Sequence, residues 1–169
     1  VAGARSALSR ALELSSAPRD RAALLAQLGN AEAAARANGA ALAHFRAALA
    51  IEPALGEAYS GLVPLLMSEQ REAEAIEALT AWAALEAAPA ERAKRMLQAA
   101  ELELGRDGRE AAAEGLLRGA VAIDAGNATA WALLAELQAR QGRWSEVVES
   151  AKHGASMTQW YVLTRLYPG

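Results

Sequence analysis

The chain contains no cysteine. That excludes a disulfide framework and any thiolate metal site. Aromatic residues make up only 5% of it, with a single Phe, and much of its 53% hydrophobic content is Ala. An Ala- and Leu-rich composition suits closely packed helices and argues against a β-rich core. No apolar run approaches the roughly 20 residues that a membrane span requires. The net charge of −3 gives no reason to expect nucleic acid as a partner. Lysine is scarce: only Lys94 and Lys152 among 17 basic residues. With so much Ala, the preference for Arg reads as a GC-rich bacterial coding sequence. No signal peptide is visible, Val1 stands where an initiator Met would, and the first helix begins partway through a repeat. The chain therefore reads as a fragment or a processed product. The lack of cysteine fits a cytoplasmic protein and also allows a periplasmic one.

What the sequence does contain is a rhythm. Ala4, Leu8 and Ala11 align with Ala41, Phe45 and Ala48, then with Ala75, Leu79 and Trp82, with Ala113, Leu117 and Ala120, and with Val147, Ala151 and Gly154. The first members are 37, 34, 38 and 34 residues apart. A second series, Leu25, Tyr59, Leu97 and Trp131, steps by 34, 38 and 34. Self-similarity at such a period is the signature of a stacked repeat architecture.

Within each period the apolar spacing is helical. Helices are predicted over 2–14, from about Asp20 to Ala37, through Leu42 and Phe45 to Ile51, over 55–68, 72–86, 91–104, 109–123, 128–140 and 144–154, with a final one over 158–167. Asp20 can cap or charge-complement the second helix. Asn38-Gly39 reads as the turn that stops it. Pro64 falls inside the fourth helix and predicts a kink or a shortening there. The longer steps, around Ala87–Ala90 and Ser15–Asp20, read as longer turns between repeats, which a stack of this kind tolerates. No segment reads as a strand.

These residues carry a family resemblance. Leu25-x-x-Leu28-Gly29, then Ala41-x-x-x-Phe45-x-x-Ala48 and Pro53, open the pattern. Tyr59-x-x-Leu62 with Ala75-x-x-x-Leu79, Gly108 with Ala113-x-x-x-Leu117-x-x-Ala120, and Trp131-x-x-Leu134 with Gly142-x-Trp144 and Val147 continue it. The chain resembles the tetratricopeptide repeat family over nearly its whole length. Three features depart from the pattern: Ala125 stands where Pro53 does, Glu32 where an aromatic is usual, and Trp82 where a small residue is usual. The resemblance implies an all-α fold, a right-handed α-solenoid of antiparallel helix pairs whose first helices line a concave face. Applied to the whole chain, 1–169, it gives a half repeat (1–16), helix pairs at 19–53, 54–89, 90–126 and 127–156, and a capping helix (157–169). It also implies a scaffold that binds a peptide or a partner protein rather than an enzyme. The alternative it leaves open is a non-catalytic regulatory or substrate-recruiting module of a larger bacterial enzyme.

On that arrangement Asn30, Ser60, Met67, Arg95, Gln98, Leu102, Leu133, Glu136 and Arg140 point toward the groove. Met67, Leu102 and Leu133 form an apolar strip among hydrogen-bonding groups, a surface suited to an extended peptide or a helix. A clamp for a C-terminal carboxylate is poorly supplied, since Ala26 stands where a basic residue would be needed beside Asn30. Catalysis finds few candidates. His44 and His153 are about three repeats apart, no group of side chains has metal-ligand spacing, and no cofactor is implied. Gly105-Arg106-Asp107-Gly108 joins two helices and reads as a turn rather than a phosphate loop. Glu69, Glu72, Glu74 and Glu77 form an acidic cluster, read as a solvated helix face or as a patch that steers a basic partner. The end segment with Trp160, Tyr161, Leu163, Leu166 and Tyr167 reads either as a cap on the last repeat or as a means of self-association. The exposed first helix is the other candidate for self-association.

Overall fold

The computed structural model describes residues 2–154. Among the described residues, all regular structure is helical: α1 (Ala2–Leu14), α2 (Pro18–Ala34), α3 (Asn38–Ile51), α4 (Gly56–Ser68), α5 (Glu72–Leu85), α6 (Pro89–Leu104), α7 (Glu110–Ile123), α8 (Ala128–Arg140) and α9 (Trp144–Gly154). The helix expected over 158–167 lies outside the described residues. The chain divides into two compact units, Val1–Leu85 and Glu86–Gly169.

In the first unit α3 packs against both α2 and α4, and the wedge between them is Phe45, which is completely buried. Small residues at the contact let the helices close on it: Ala41 and Ala48 on α3 and Ala22 and Ala26 on α2 are all fully buried. Burying a side chain the size of Phe or Leu stabilises by about 1.5–3 kcal/mol, so Phe45, Leu28, Leu66 and Leu79 anchor this unit. In the second unit Leu117 holds the place of Phe45, with Ala93, Ala100, Ala120, Val121, Ala130 and Leu134 around it.

The two units are variations on one four-helix plan. Helices α2 to α5 have 17, 14, 13 and 14 residues, and α6 to α9 have 16, 14, 13 and 11. Both plans open on one motif: Ala17-Pro18-Arg19-Asp20-Arg21-Ala22 and Ala88-Pro89-Ala90-Glu91-Arg92-Ala93. Proline suits the first helical position because its missing N–H would have no partner there. Arg21 and Arg92 of these motifs each bond backbone carbonyls of the chain leading into their own helix. Arg21 donates to the carbonyls of Leu12 and Ser15 (2.9 and 3.1 Å), and Arg92 to that of Glu86 (2.9 and 3.1 Å).

This motif corrects the expectation of long inter-repeat turns. The connections at 15–17 and 86–88 are shorter than those at 52–55 and 124–127. The additional residues extend α2 and α6 by about one turn beyond α4 and α8. Asp20 does not cap α2: the N-cap is Ala17, which makes no side-chain bond, and Asp20 contributes its charge from the first turn.

The turn expected at Asn38-Gly39 lies earlier. Helix α2 ends at Ala34, and Arg36 takes a left-handed conformation (φ 59°). The Ala37 N–H then bonds the Glu32 carbonyl and the Arg36 N–H that of Ala33, both at 2.9 Å, closing the last turn of the helix. Asn38 begins α3 instead, and its side-chain amide donates to Glu69. Gln70 (φ 58°) repeats the turn after α4 and Gly142 (φ 72°) after α8, with the next N–H bonding back to Leu66 and Gln138; Gly108 (φ 74°) is also left-handed, but the Arg109 N–H after it bonds the Arg106 carbonyl.

Helix α4 runs through Pro64 without a break. Proline costs the Ser60 carbonyl its helical donor, but both residues are exposed, where water serves the carbonyl.

Candidate functional site

In the first unit Asn30 lies on α2 and Ser60 and Met67 on α4. Asn30 is exposed and faces Gly61, where a Cβ would stand 2.8 Å from Asn30 Oδ1. Ser60 is exposed, but its hydroxyl donates back to the Glu57 carbonyl (2.8 Å). Met67 is half-buried. None of the three lines either of the two clefts described below.

In the second unit Arg95, Gln98 and Leu102 lie on α6 and Leu133, Glu136 and Arg140 on α8. Arg95 donates to Glu91 (3.0 Å) and to Gln98 (3.3 Å), which ties these polar side chains together along α6. Leu133, Glu136 and Arg140 meet at an open cleft of about 300 Å³ between α8 and the C-terminal turn of α6. Its other walls are Glu101, Leu104, Gly105 and Leu137. Leu102 is half-buried and does not line it.

Local sequence sets this geometry. Asn127 caps α8, its side-chain oxygen accepting from the Ala130 N–H (3.0 Å). The Asp124 side chain accepts from the Gly126 N–H (3.1 Å) and shapes the preceding turn. Trp131 donates to the Ala125 carbonyl (3.0 Å) and fixes the start of α8 over that turn. The far end of α6 stops at Gly105, so the cleft is bordered by the carbonyl end of that helix.

The cleft is apolar at Leu104, Leu133 and Leu137 and charged at its edges. Arg140 and Glu136 pair with each other at 2.5 Å, both exposed. Glu101 is exposed and makes no ion pair among the described residues, and Arg106 and Arg109 of the following turn approach Glu103 (3.4 and 3.7 Å). Leu104, Gly105 and Leu137 escape a sequence search for groove residues because each reads as ordinary core or turn. Glu101 carries only the signal of a charge beside an apolar strip.

A second cleft of about 460 Å³ lies on the other side of α8, between α7 and α9. Trp131, Leu134 and Val121 line it, with Arg118, Glu146 and Glu149 among its polar residues. Arg143 and Arg118 both pair with Glu114 and Glu146, and hydrogen bonds from Arg143 before all else hold these two carboxyls below the ordinary carboxylate range. Inside this cleft Ser150 donates to Gln138 (2.9 Å), both residues buried. His153 stacks on Trp131 with centroids 4.7 Å apart. His44 belongs to the other unit, on α3, so the two histidines sit in separate units. Among the described residues no group of acidic or His side chains is placed to hold a metal, and no helix is long and apolar enough to cross a membrane.

In each unit, helix pairs of this length joined by short turns define a helical-repeat fold. Solved structures carry the same fold. A crystal structure of MamA matches with a TM-score of 0.64 at 16% identity, over 96% of this chain and 90% of that one. YrrB, a TPR protein with an unusual peptide-binding site, matches with a TM-score of 0.61 at 15% identity, over 96% of this chain and 75% of that one. MamA from Desulfovibrio magneticus RS-1, from residue 41 to its end, matches with a TM-score of 0.52 at 20% identity, over 98% and 96%. Identity this low speaks for the fold alone. No protein-family model matches the sequence, and no curated protein sequence matches it.

Proposed function

We propose that the chain is a non-catalytic binding module that holds a peptide segment of a partner protein on its first helices, with the α6/α8 cleft as the anchoring point. The observation that carries this reading is the convergence of Leu133, Glu136 and Arg140 with Leu104 and Leu137 on one open cleft. Its volume, about 300 Å³, is at the small end of ligand pockets, the size of one or two side chains. Apolar floor and charged edge are the combination by which a groove gains affinity from burial and orientation from polar contacts. The peptide-binding site of the structurally similar YrrB fits this reading. Arg95, Gln98 and Leu102 on α6 would contact the remainder of the segment.

The test is an array of randomised 12-residue peptides probed with the intact chain. Wild-type protein is expected to retain a subset, and Leu133→Ala and Arg140→Glu to lose most of it while keeping the helical signal of the wild type. Retention of the same peptides by both variants would count against the cleft as the anchor.

A further inference from the structure

We propose that the α6/α8 cleft is selective for a lysine or arginine side chain of the bound segment. This rests on the reading of the cleft as a peptide anchor and adds the chemistry that the anchor recognises. Three observations combine.

The floor is apolar. Leu104, Leu133 and Leu137 offer hydrocarbon to the three or four methylenes of a basic side chain, which cover apolar surface while the charged head stays at the edge. The edge by α6 is anionic. Glu101 has no ion pair among the described residues, and the cations of the following turn, Arg106 and Arg109, are committed to Glu103. Finally, the cleft is bordered by the end of α6, where Leu104 and Gly105 lie and where the last carbonyls of a helix carry partial negative charge. No basic residue occupies the last turn of α6 to neutralise it.

The opposite wall does not cancel this charge. Among the described residues Arg140 is the one cation lining the cleft, and Glu136 already holds it at 2.5 Å. Counted over those residues, the cleft presents two carboxylates and a helix C-terminus against one guanidinium. A carboxylate of the segment would meet Glu101 and the α6 carbonyls unfavourably. An ammonium or guanidinium would find one carboxylate without an ion pair among the described residues and the partial negative charge of the helix end within the same rim.

The experiment starts from peptides that the wild-type chain retains on the randomised array. Each position is replaced in turn by Lys, Arg, norleucine and Glu. Norleucine supplies the methylene stem without the charge. At one anchor position Lys and Arg are expected to exceed norleucine by about twofold to fivefold, the factor that a part-exposed ion pair supplies, and norleucine to exceed Glu. Raising the salt should erode the difference between Lys and norleucine, since such charges are screened. Glu101→Lys should reverse the order, favouring Glu, because Glu101 is exposed and its replacement leaves the core intact. Glu13→Lys, on α1 in the other unit, changes net charge equally and should leave the order as it is.

An order unaffected by Glu101→Lys, or norleucine equal to Lys at every position, overturns the selectivity. If Leu133→Ala and Arg140→Glu abolish binding in that case, the peptide anchor stands without it. If no peptide is retained at all, both readings fall.

Discussion

The ring of Phe45 occupies the space that a side chain at Gly61 would need: a Cβ there would stand 2.3 Å from Phe45 Cζ and 2.8 Å from Asn30 Oδ1. Gly29 on α2 abuts the same ring, with a Cβ 2.6 Å from Phe45 Cε1. The second unit solves the same packing problem with a smaller wedge and larger walls, placing Leu117, Ala100 and Leu133 where Phe45, Gly29 and Gly61 stand.

Gly29→Ala and Gly61→Ala should therefore each destabilise the first unit by about 1–3 kcal/mol, the usual cost of overpacking a close-packed core. Phe45→Leu alone leaves a cavity and should also destabilise. Phe45→Leu combined with Gly29→Ala copies the second unit and should be more stable than the sum of the single changes allows. Urea denaturation of the three variants measures this coupling. Strict additivity would show that the ring and the glycine do not share the space.

Arg36 and Gln70 hold left-handed backbone without being glycine. That conformation costs an L residue about 1–2 kcal/mol, part of which glycine gives back in chain entropy. Arg36→Gly and Gln70→Gly should thus raise the thermal midpoint. Gly142→Ala, at the equivalent turn of the second unit, should lower it. Calorimetry of the single variants checks the sign of each.

These turns also explain what was legible in the sequence. Helix spacing came through wherever a small residue and a large one recur four apart, as at Ala41 and Phe45 or Ala75 and Leu79, because burial repeats with the helix period. The turn after α2 did not, since Arg36 gives no glycine signal and Asn38-Gly39, two residues on, gives a false one. The phase of α6 was blurred for a related reason. Buried residues of α2 recur in α6 at an interval of 71, as in Ala22 and Ala93 or Glu32 and Glu103, whereas Leu25 and Leu97 are 72 apart. The additional residue lies in the turn at 105–109. A slip of one residue turns a helix by about 100°, enough to direct attention to Leu102 when Glu101 lines the cleft.

Glu32 reads in the sequence as a missing aromatic, but it is a buried carboxylate, 7% exposed, held by Arg5 of α1 at 2.9 Å. Its second oxygen has no hydrogen-bond partner among the described residues. Arg5→Ala should destabilise the first unit by about 1–3 kcal/mol, less than a fully buried pair would cost because Arg5 is partly solvated. Glu32→Leu in the same chain should recover most of that loss, since no charge is then left buried. A double-mutant cycle by chemical denaturation tests it, and full additivity would mean that the pair does not interact.

Glu114 and Glu146 are held below the ordinary value of 4.5, first by hydrogen bonds from Arg143 and then by Arg118. A carboxyl lowered in the folded state contributes stability that is complete above its unfolded pKa and is lost as the pH falls through the folded one. The second unit should accordingly weaken on acidification below about pH 4.5, with salt narrowing the effect. Arg143→Gln should lower stability at neutral pH and flatten the acid limb. Denaturation midpoints at neutral and acid pH decide this: an unchanged acid limb in Arg143→Gln would show that other carboxyls set it.

The buried hydrogen bond from Ser150 to Gln138 has a counterpart in the first unit that is wholly apolar, Ala78 and Leu66. The repeat thus contains its own control. Ser150→Ala alone strands the Gln138 carbonyl and should cost about 1–2 kcal/mol. Gln138→Leu alone strands the Ser150 hydroxyl at a similar cost. Both changes together rebuild the pairing of the first unit and remove two buried polar groups at once, which is often neutral or stabilising. The double variant should therefore unfold at the same denaturant concentration as the wild type or a higher one. A double variant as weak as the singles would mean that the polar pair contributes more than its own satisfaction, through the 3.5 Å contact that the Gln138 amide makes with Glu146.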